Sequence, residues 1–318
     1  MDTNKILIIG AGGQLGSVLT EALKTKFGSE NVIASDLRAI DHYNGLFETL
    51  DATNAEALES LVTKYGITQI YHLAAILSAK GEQNPLQTWD INLKTLFNVL
   101  EVSVKHNIEK VFFPSSIAVF GSMASKSNTA QDDFLNPATV YGISKAAGEN
   151  WAQYYFLRYG LDVRSLRYPG VIGYQSLPGG GTTDYAVDIY HKAVNEEVFN
   201  CYLKENAMLP MIYMDDAIRA TIELMDAPKE AITVRTSYNL QGVSFAPKDV
   251  EASIKKWYPG FEVTYNPDFR QKIAEGWPSS IDDSYAQNDW GWKPKYDLDA
   301  MTEDMLRQLK LKYNLITQ

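Results

Sequence analysis

The chain contains a single cysteine, Cys201, and only four histidines among its 318 residues. One cysteine excludes an internal disulfide and is typical of a protein from a reducing compartment. Because these residues do not have zinc-ligand spacing, we expect no metal site. No apolar run approaches the roughly 20 residues that span a membrane. The first residues lack a basic stretch followed by a long apolar core, so we expect no signal peptide and a cytoplasmic location.

Basic residues are also outnumbered, since 29 Lys and Arg against 39 Asp and Glu give a net charge of −10. This excess of negative charge argues against nucleic acid or an anionic membrane as the main partner. We therefore expect a small-molecule partner. A hydrophobic content of 45% and a charged content of 21% are typical of a globular protein, and the length allows two lobes.

The segment KILIIGAGGQLG near the start joins a short apolar run to a cluster of glycines and then to a helical pattern. Such a turn sets backbone N–H groups and the positive end of a helix against a phosphate. The usual G-x-G-x-x-G would require glycine at position 15, which is Leu15, and the pattern here is G-x-x-G-x-x-G. The alternative is a glycine-rich turn without a ligand. We expect a dinucleotide to be held by Gly10, Gly13, Gln14, Leu15 and Gly16.

Asp36 ends the second predicted strand, 20 residues beyond Gly16. A carboxylate at this point can accept hydrogen bonds from both hydroxyls of the adenosine ribose, and it repels a 2′-phosphate. The position therefore favours NAD over NADP. Arg38, two residues later, could instead accommodate that phosphate or stack on the adenine.

The first half of the chain alternates short apolar runs with helical patterns, which indicates βαβ units and a parallel sheet. Past Arg167 the pattern breaks into a Gly/Pro-rich loop and mixed short elements. We predict an α/β fold, a Rossmann-type doubly wound parallel sheet at 1–170, to which the chain returns around 213–241. A smaller C-terminal α/β substrate lobe would comprise 171–212 and 242–318. Strands are predicted at 5–9, 31–35, 46–50, 69–74, 110–115 and 162–168, and helices near 13–27, 54–65, 86–106 and 139–159.

Tyr141 and Lys145 form the only Y-x-x-x-K pattern in the chain, and helical spacing puts both side chains on one face. An ammonium beside a tyrosine favours ionisation of the phenol, whose ordinary pKa is about 10. Such a phenol can exchange a proton with a substrate alcohol near neutral pH. Ser116, just past the fifth predicted strand, could hold the substrate oxygen beside it. The alternatives are a chance match and a turn-forming serine.

Taken together, these motifs resemble those of an extended short-chain dehydrogenase/reductase, and the resemblance covers nearly the whole chain. It rests on the glycine pattern, Asp36, HLAA at 72–75, Asn92, the serine before VFG at 119–121, and the Y-x-x-x-K pattern. LRYP at 166–169 and YMDDA at 213–217 match later landmarks of that family. The resemblance implies a Rossmann sheet, bound NAD, and a catalytic site of Ser116, Tyr141 and Lys145.

The same resemblance implies roles for further residues around the cofactor. Lys145 would also hold the hydroxyls of the nicotinamide ribose, and Asn92 would support a proton relay, the alternative for Asn92 being an amide on a helix surface. Asp51 and Ala52 would lie against the adenine. The other implied cofactor contacts are Leu73, Ala74, Ala75, Tyr168 and Ile172.

Within that family, GGGTTDYAV at 179–187 resembles sugar-epimerase-like L-threonine 3-dehydrogenases, as do LPMIYMD at 209–215 and GWP at 276–278. This implies oxidation of L-threonine at C3 to 2-amino-3-oxobutanoate, with tyrosine as general base. Thr182 and Thr183 are expected to cap a helix at 183–195, whose free N–H groups suit a small carboxylate. The alternative is a flexible loop with an ordinary cap. The predicted substrate residues outside the catalytic set are Ser78, Gly181, Thr182, Thr183 and Trp277, of which Trp277 closes a pocket or packs in the core.

Two other functions fit the same motifs. A nucleotide-sugar 4-epimerase would keep NAD tightly bound and needs room and contacts for a nucleoside diphosphate. The only lysine or arginine residues between 168 and 218 are Lys192 and Lys204. So few basic groups favour a substrate smaller than a nucleoside diphosphate sugar. A regulator that binds NAD without catalysis would keep the glycines and lose the catalytic residues, which are all present here.

The resemblance also implies a homodimer formed through two helices of each subunit. The predicted helices at 86–106 and 139–159 occupy the matching positions. The second of them carries aromatic side chains that could serve an interface, although we expect core packing for most of them. These side chains are Trp151, Tyr154, Tyr155 and Phe156.

Overall fold

The computed structural model of the chain describes residues 4–179 and 181–315. It divides into two compact units. The first unit comprises Met1–Ser116, Thr139–Arg167 and Ala220–Tyr238. The second unit comprises Ile117–Ala138, Tyr168–Arg219 and Asn239–Gln318.

Short strands and longer helices alternate along the described residues. The strands are, in chain order, β1 (Ile6–Ile9), β2 (Val32–Asp36), β3 (Leu46–Thr49), β4 (Gln69–His72), β5 (Lys110–Ser116), β6 (Asp162–Tyr168), β7 (Gly170–Ile172), β8 (Phe199–Cys201), β9 (Leu209–Tyr213), β10 (Tyr238–Asn239), β11 (Val243–Phe245) and β12 (Val263–Tyr265). The helices are α1 (Gln14–Phe27), α2 (Ala55–Tyr65), α3 (Ser78–Gly81), α4 (Pro85–Lys105), α5 (Val140–Tyr159), α6 (Tyr185–Val194), α7 (Met214–Asp226), α8 (Pro247–Lys255), α9 (Phe269–Gly276), α10 (Ser284–Trp290) and α11 (Leu298–Lys312).

The central sheet has seven strands in the order β10-β6-β5-β4-β1-β2-β3. Pairing is parallel between β1 and β2, β1 and β4, β2 and β3, and β4 and β5. The strand order reverses beside β1, where the chain leaves β1 for one side of the sheet and β4 lies on the other. Ligands of doubly wound sheets bind at the carboxyl edge of the strands at such a reversal. The predicted Rossmann-type fold is confirmed.

The predicted elements of the first half are confirmed within two residues of their bounds. The reason lies in burial, because ILII of β1 is buried throughout and reads as an unbroken apolar run, as expected for a parallel strand covered on both faces. The predicted strand at 69–74 ends earlier, at His72. The N–H of Leu73 still donates a hydrogen bond to the carbonyl of Ile9 at 2.8 Å, and the chain then leaves the sheet.

Helix α5 carries the Y-x-x-x-K pattern and is fixed at both ends. The hydroxyl of Thr139 accepts a hydrogen bond from the N–H of Gly142 at 3.1 Å and caps the first turn. Gly160 ends the helix in the left-handed conformation, with φ at 72°. These caps place Tyr141 in the first turn of the helix, two residues after the capping threonine.

The second unit has its own sheet and core. Its three-stranded sheet has the order β11-β9-β7, and β12 pairs with β8. A buried apolar cluster lies against α6, α8 and α11, with Tyr185, Ile189, Val250, Ile254 and Met305 among its members.

The division into units differs in two places from the domain bounds expected from the sequence. Residues Ile117–Ala138, which follow β5, group with the second unit. The chain rejoins the first unit at Ala220, within α7, and leaves it after Tyr238. Among the helices of residues 4–179 and 181–315, none combines the length and apolar character that a membrane span requires.

Candidate active site

The turn between β1 and α1 is shaped by glycines that could not carry a side chain. Gly10 has a φ of 92°, and a Cβ there would stand 2.7 Å from the backbone nitrogen of Ala74. A Cβ on Gly16 would collide with the carbonyl oxygen of Gly10. Gly13, at the N-cap of α1, has no side chain to cover the first turn of the helix. This bare helix start fits the pyrophosphate of a dinucleotide.

Asp36 ends β2 and faces the glycine turn. Its carboxylate accepts hydrogen bonds from the N–H of Gly12 at 2.9 Å and from the N–H of Leu37 at 2.8 Å. One N–H of the turn is therefore already used inside the protein, and Asp36 is held in place. A carboxylate fixed here favours a ribose with free hydroxyls over one that carries a phosphate. Arg38 is exposed.

The other predicted cofactor residues of the first unit lie along the carboxyl edge of the sheet. Asp51 is exposed and accepts hydrogen bonds from the N–H and hydroxyl of Thr53. Ala52 is buried, and its carbonyl accepts a hydrogen bond from Asn98 at 2.8 Å. Leu73, Ala74 and Ala75 follow β4 and are half-buried.

Ser116, Tyr141 and Lys145 come together where β5 ends against the first turns of α5. The hydroxyl of Ser116 shares a hydrogen bond with the phenol of Tyr141. The Lys145 ammonium donates a hydrogen bond to the carbonyl of Pro114 at 2.6 Å and lies 5.5 Å from the centre of the Tyr141 ring. The three side chains that the sequence pattern selected therefore form one cluster.

The electrostatics of this cluster run against the expectation of an easily ionised tyrosine. Burial raises the pKa of Tyr141 to about 12, although its hydrogen bond with Ser116 opposes this shift. Burial lowers the pKa of Lys145 to about 7, and the carboxylate of Glu149 opposes that change. The expected reduction of the tyrosine pKa is thus wrong for the protein alone, because removal from water disfavours the charged phenolate.

Asn92 is buried on α4 and is not a surface amide. Its side-chain oxygen accepts the N–H of Ile76 at 2.8 Å, and its amide donates to the carbonyl of Ile76 at 3.1 Å. The same amide donates to the hydroxyl of Ser144 at 3.2 Å. Asn92 therefore ties the segment after β4 to α5. Ser78, a predicted substrate contact, begins α3 just beyond this segment and is half-buried.

The threonine cap expected at residues 182 and 183 is wrong. Helix α6 begins at Tyr185, with Asp184 as its N-cap, so neither threonine starts the helix. The carboxylate of Asp184 accepts hydrogen bonds from the N–H of Gly179 at 2.6 Å and of Gly181 at 2.9 Å. The carboxylate of Asp184 thus occupies two N–H groups of the segment that precedes the helix. Gly180 lies outside the described residues.

The remaining predicted residues of the second unit differ in burial. Thr182 is buried, Thr183 and Gly181 are half-buried, and the carbonyl of Gly181 accepts a hydrogen bond from Tyr202 at 3.0 Å. Trp277 packs at the edge of the apolar cluster of this unit and lines a cavity of about 600 Å³. Its packing against the core is thus observed, whereas its closing of the substrate pocket stays a prediction. Tyr168 and Ile172 are buried in this unit.

Sequence reasoning missed a buried charged network below the catalytic cluster. Glu149, on α5, pairs with Arg167 of β6 at 2.8 Å and accepts a hydrogen bond from Ser115 at 2.6 Å. The available signal was spacing, because Glu149 follows Lys145 by one helical turn and must share its face. Across the described ranges, no three His, Cys, Asp or Glu side chains gather as a metal site would require.

Comparisons with known proteins agree with this geometry. Residues 6–240 match the model of the NAD dependent epimerase/dehydratase family. An uncharacterized epimerase/dehydratase of Staphylococcus haemolyticus is 44% identical over 313 residues, which cover 97% of this chain and 98% of the relative.

Solved structures give the same relationship. The GalE-like L-threonine dehydrogenase from Cupriavidus necator, in its holo form, is 52% identical with a TM-score of 0.95, covering 96% of this chain and 100% of that one. A monomeric L-threonine 3-dehydrogenase from a metagenome database, in its apo form, is 47% identical with a TM-score of 0.93, covering 96% and 98%. The chain is therefore an enzyme of the NAD-dependent epimerase/dehydratase family, the extended short-chain dehydrogenase/reductases, and its cofactor is NAD.

Proposed function

We propose that this enzyme oxidises L-threonine at C3 and produces 2-amino-3-oxobutanoate and NADH. The observation that carries the proposal is the cluster of Ser116, Tyr141 and Lys145 at the carboxyl edge of a dinucleotide-binding sheet. The identity of 52% to an L-threonine dehydrogenase over nearly the whole chain supports the choice of substrate.

The chemistry assigned to the cluster is a proton transfer paired with a hydride transfer. Bound NAD would supply the hydride acceptor for C3 and a positively charged nicotinamide ring. Tyr141, as phenolate, takes the proton of the C3 hydroxyl as the C–H bond breaks. Ser116 donates a hydrogen bond to the substrate oxygen and holds it beside the phenol. Because burial raises the pKa of Tyr141 to about 12, positive charge nearby is required to form the phenolate.

Lys145 is assigned two functions in this scheme. Its ammonium favours the phenolate of Tyr141, and it holds the hydroxyls of the nicotinamide ribose. The pKa of about 7 places its change of charge in the physiological range. Asn92, which is hydrogen-bonded to both polar groups of the Ile76 backbone, supports the assigned proton relay.

The remaining cofactor contacts are proposed at the positions that the sequence selected. The glycine turn and the bare start of α1 hold the pyrophosphate. Asp36 binds the adenosine ribose, and its fixed carboxylate makes NAD the preferred form. The other proposed contacts are Gln14, Leu15, Arg38, Asp51, Ala52, Leu73, Ala74, Ala75, Tyr168 and Ile172.

The proposed substrate contacts outside the cluster are Ser78, Gly181, Thr182, Thr183 and Trp277. Because the Asp184 carboxylate already binds two loop N–H groups, the loop does not present those groups to an anion. We propose instead that Thr182 and Thr183 line a small substrate pocket.

The test is NADH absorbance after purified protein is mixed with NAD and L-threonine. L-serine, L-allo-threonine and UDP-glucose serve as controls, and NADP replaces NAD in a parallel set. Steady NADH formation with L-threonine and NAD alone is expected. Silence with L-threonine in protein shown to bind NAD would contradict the proposal. Conversion of UDP-glucose without net NADH would then identify a nucleotide-sugar 4-epimerase.

We also propose a homodimer formed through α4 and α5. The outer face of α5 is richer in exposed apolar side chains than the sequence suggested, since Trp151, Tyr154, Leu157 and Tyr159 are exposed. Of the four aromatic residues expected mostly in the core, Tyr155 is buried and Phe156 is half-buried. Trp151 continues this surface onto α4 by edge-on packing against Phe97, with ring centres 5.0 Å apart. An apolar surface of this kind is typical of an interface.

Sedimentation at micromolar protein tests the dimer, with Leu157→Lys as the disrupting variant. A dimer that dissociates in the variant is expected, and a monomeric wild type would contradict the proposal. The related L-threonine 3-dehydrogenase described as monomeric has the same fold, so the fold alone does not decide the assembly. A cytoplasmic location remains a prediction, consistent with the single, buried Cys201.

A further inference from the structure

Three consecutive residues at the end of β5 are held by three residues of α5. The carbonyl of Pro114 accepts a hydrogen bond from Lys145 at 2.6 Å. The hydroxyl of Ser115 donates to Glu149 at 2.6 Å, and Ser116 is hydrogen-bonded to Tyr141. The helix residues are spaced by four, so they share one face of α5. The strand end that carries the catalytic serine is thus fixed to the helix by successive side chains.

Glu149 is the fully buried member of this set. Its carboxylate is inaccessible to solvent and is paired with the guanidinium of Arg167, from β6, through contacts of 2.9 Å and 2.8 Å. A buried carboxylate is costly unless charge and hydrogen bonds satisfy it. Here Arg167 and Ser115 do so, which leaves Glu149 fixed between β5 and β6 without contact to water.

We propose that Glu149 is a positioning residue that aligns the end of β5 with α5 and favours the charged form of Lys145. The inference rests on the proposed function only in that Ser116, Tyr141 and Lys145 carry the reaction. Ser115 links Glu149 to the strand, because its hydroxyl donates a hydrogen bond to Glu149 and its backbone is bonded directly to Ser116. Arg167 holds the Glu149 carboxylate in place through their ion pair.

The charges around Lys145 support this role. Burial lowers the pKa of Lys145 to about 7, and Glu149 is the carboxylate that opposes the shift. From β4, His72 stays neutral because burial, with a further contribution from Lys145, lowers its pKa to about 3. From α5, Tyr141 has a pKa raised to about 12 by burial and is neutral near pH 7. From β6, Arg167 faces Glu149. Glu149 is therefore the source of negative charge at this position.

Glu149→Gln removes the charge with little change in shape. The Lys145 titration would be followed in the protein without cofactor by NMR of carbon-13-labelled lysine, with Lys145→Arg to assign the signal. The protonated fraction of Lys145 at pH 7 should fall severalfold, since an attractive charge is lost. An unchanged titration in folded Glu149→Gln would overturn the proposal.

Asp162→Asn is the matched control, because Asp162 forms a buried ion pair with Arg164 on the same strand, at 2.7 Å. It should lower stability without moving the Lys145 titration. If Glu149→Gln alone does not fold, Glu149→Gln with Arg167→Gln removes both charges and is expected to move the titration in the same direction. An equal shift of the Lys145 titration in Asp162→Asn would overturn the proposal, since the shift would then follow from the lower stability of the protein.

Ser115→Ala tests the alignment without a change in charge. It should lower kcat by roughly tenfold with little effect on KM, because the misplaced group acts at the transition state. An unchanged kcat would contradict the proposal that Glu149 aligns the end of β5 through Ser115. The NMR titration needs no substrate, so an enzyme that fails to oxidise L-threonine would still report on Glu149. Failure of the proposed substrate and failure of this inference are therefore separate results.

Discussion

The two units differ in how their functional residues are held. In the first unit, the proposed catalytic and positioning side chains are hydrogen-bonded to the end of β5, Lys145 to Pro114, Tyr141 to Ser116 and Glu149 to Ser115. In the second unit, the Asp184 carboxylate accepts hydrogen bonds from the N–H groups of Gly179 and Gly181, and Tyr202 donates one to the carbonyl of Gly181. We propose from this comparison that the first unit carries the chemistry and that the second unit selects the substrate. Changes in the first unit should therefore alter kcat and NAD binding, and changes in the second should alter KM.

Tyr141→Phe should have the largest effect. It removes the proton acceptor while the ring remains, so kcat should fall by about a thousandfold. NAD affinity, measured by fluorescence quenching, should stay within a few-fold of wild type. Near-normal turnover with intact NAD binding would contradict the assignment of the chemistry to this network.

Gly16→Ala should weaken NAD binding and leave the second unit unaffected. Its Cβ would collide with the carbonyl of Gly10, which forces the turn apart. The strain should weaken NAD binding by about tenfold to a hundredfold, as measured by calorimetry. Gly260→Ala, in the second unit, is the control because no atom lies within 4 Å of its new Cβ. An equal loss of NAD affinity in both variants would contradict the assignment of NAD binding to the first unit.

Asp184→Ala should act on the substrate side. It releases the N–H groups of Gly179 and Gly181, so the loop loses its fixed shape. KM for L-threonine should rise by about tenfold while kcat and NAD affinity change little. Asp188→Asn, on the same helix, controls for a lost charge. A fall in kcat without a change in KM would contradict this and would indicate that Asp184 affects the chemical step.

A further prediction is a pH dependence of stability that comes from Lys145. Burial lowers its pKa from 10.5 in an unfolded chain to about 7, so between these values the unfolded chain binds more protons. This group therefore makes stability rise as pH increases from about 7 towards 10.5. The rise should be absent in Lys145→Met, as measured by Tm at successive pH values. Parallel curves for both proteins would show that Lys145 does not titrate in this range.

The accuracy of sequence reasoning also differs between the units. In the first, β1 is buried and wholly apolar, so Ile6–Ile9 could be read directly from the sequence. Asp162–Tyr168 is also buried, although it mixes apolar with polar residues. The glycines and the Y-x-x-x-K pattern reflect local backbone and helix geometry, which spacing encodes.

What spacing does not encode is contact between distant segments. Glu149 pairs with Arg167 from another strand, and a local pattern gives no sign of that partner. The expected threonine cap failed for a related reason, since Asp184 takes the N-cap position and binds back to the loop. The pKa of Tyr141 depends on burial, which only the folded structure reveals.

The most direct test of the central claim uses L-threonine that carries deuterium at C3, with mass spectrometry of the reduced cofactor. The account predicts that NAD gains the deuterium, because the C3 hydride is transferred to it while Tyr141 takes the hydroxyl proton. Reduced cofactor without deuterium, formed from fully labelled threonine, would contradict it.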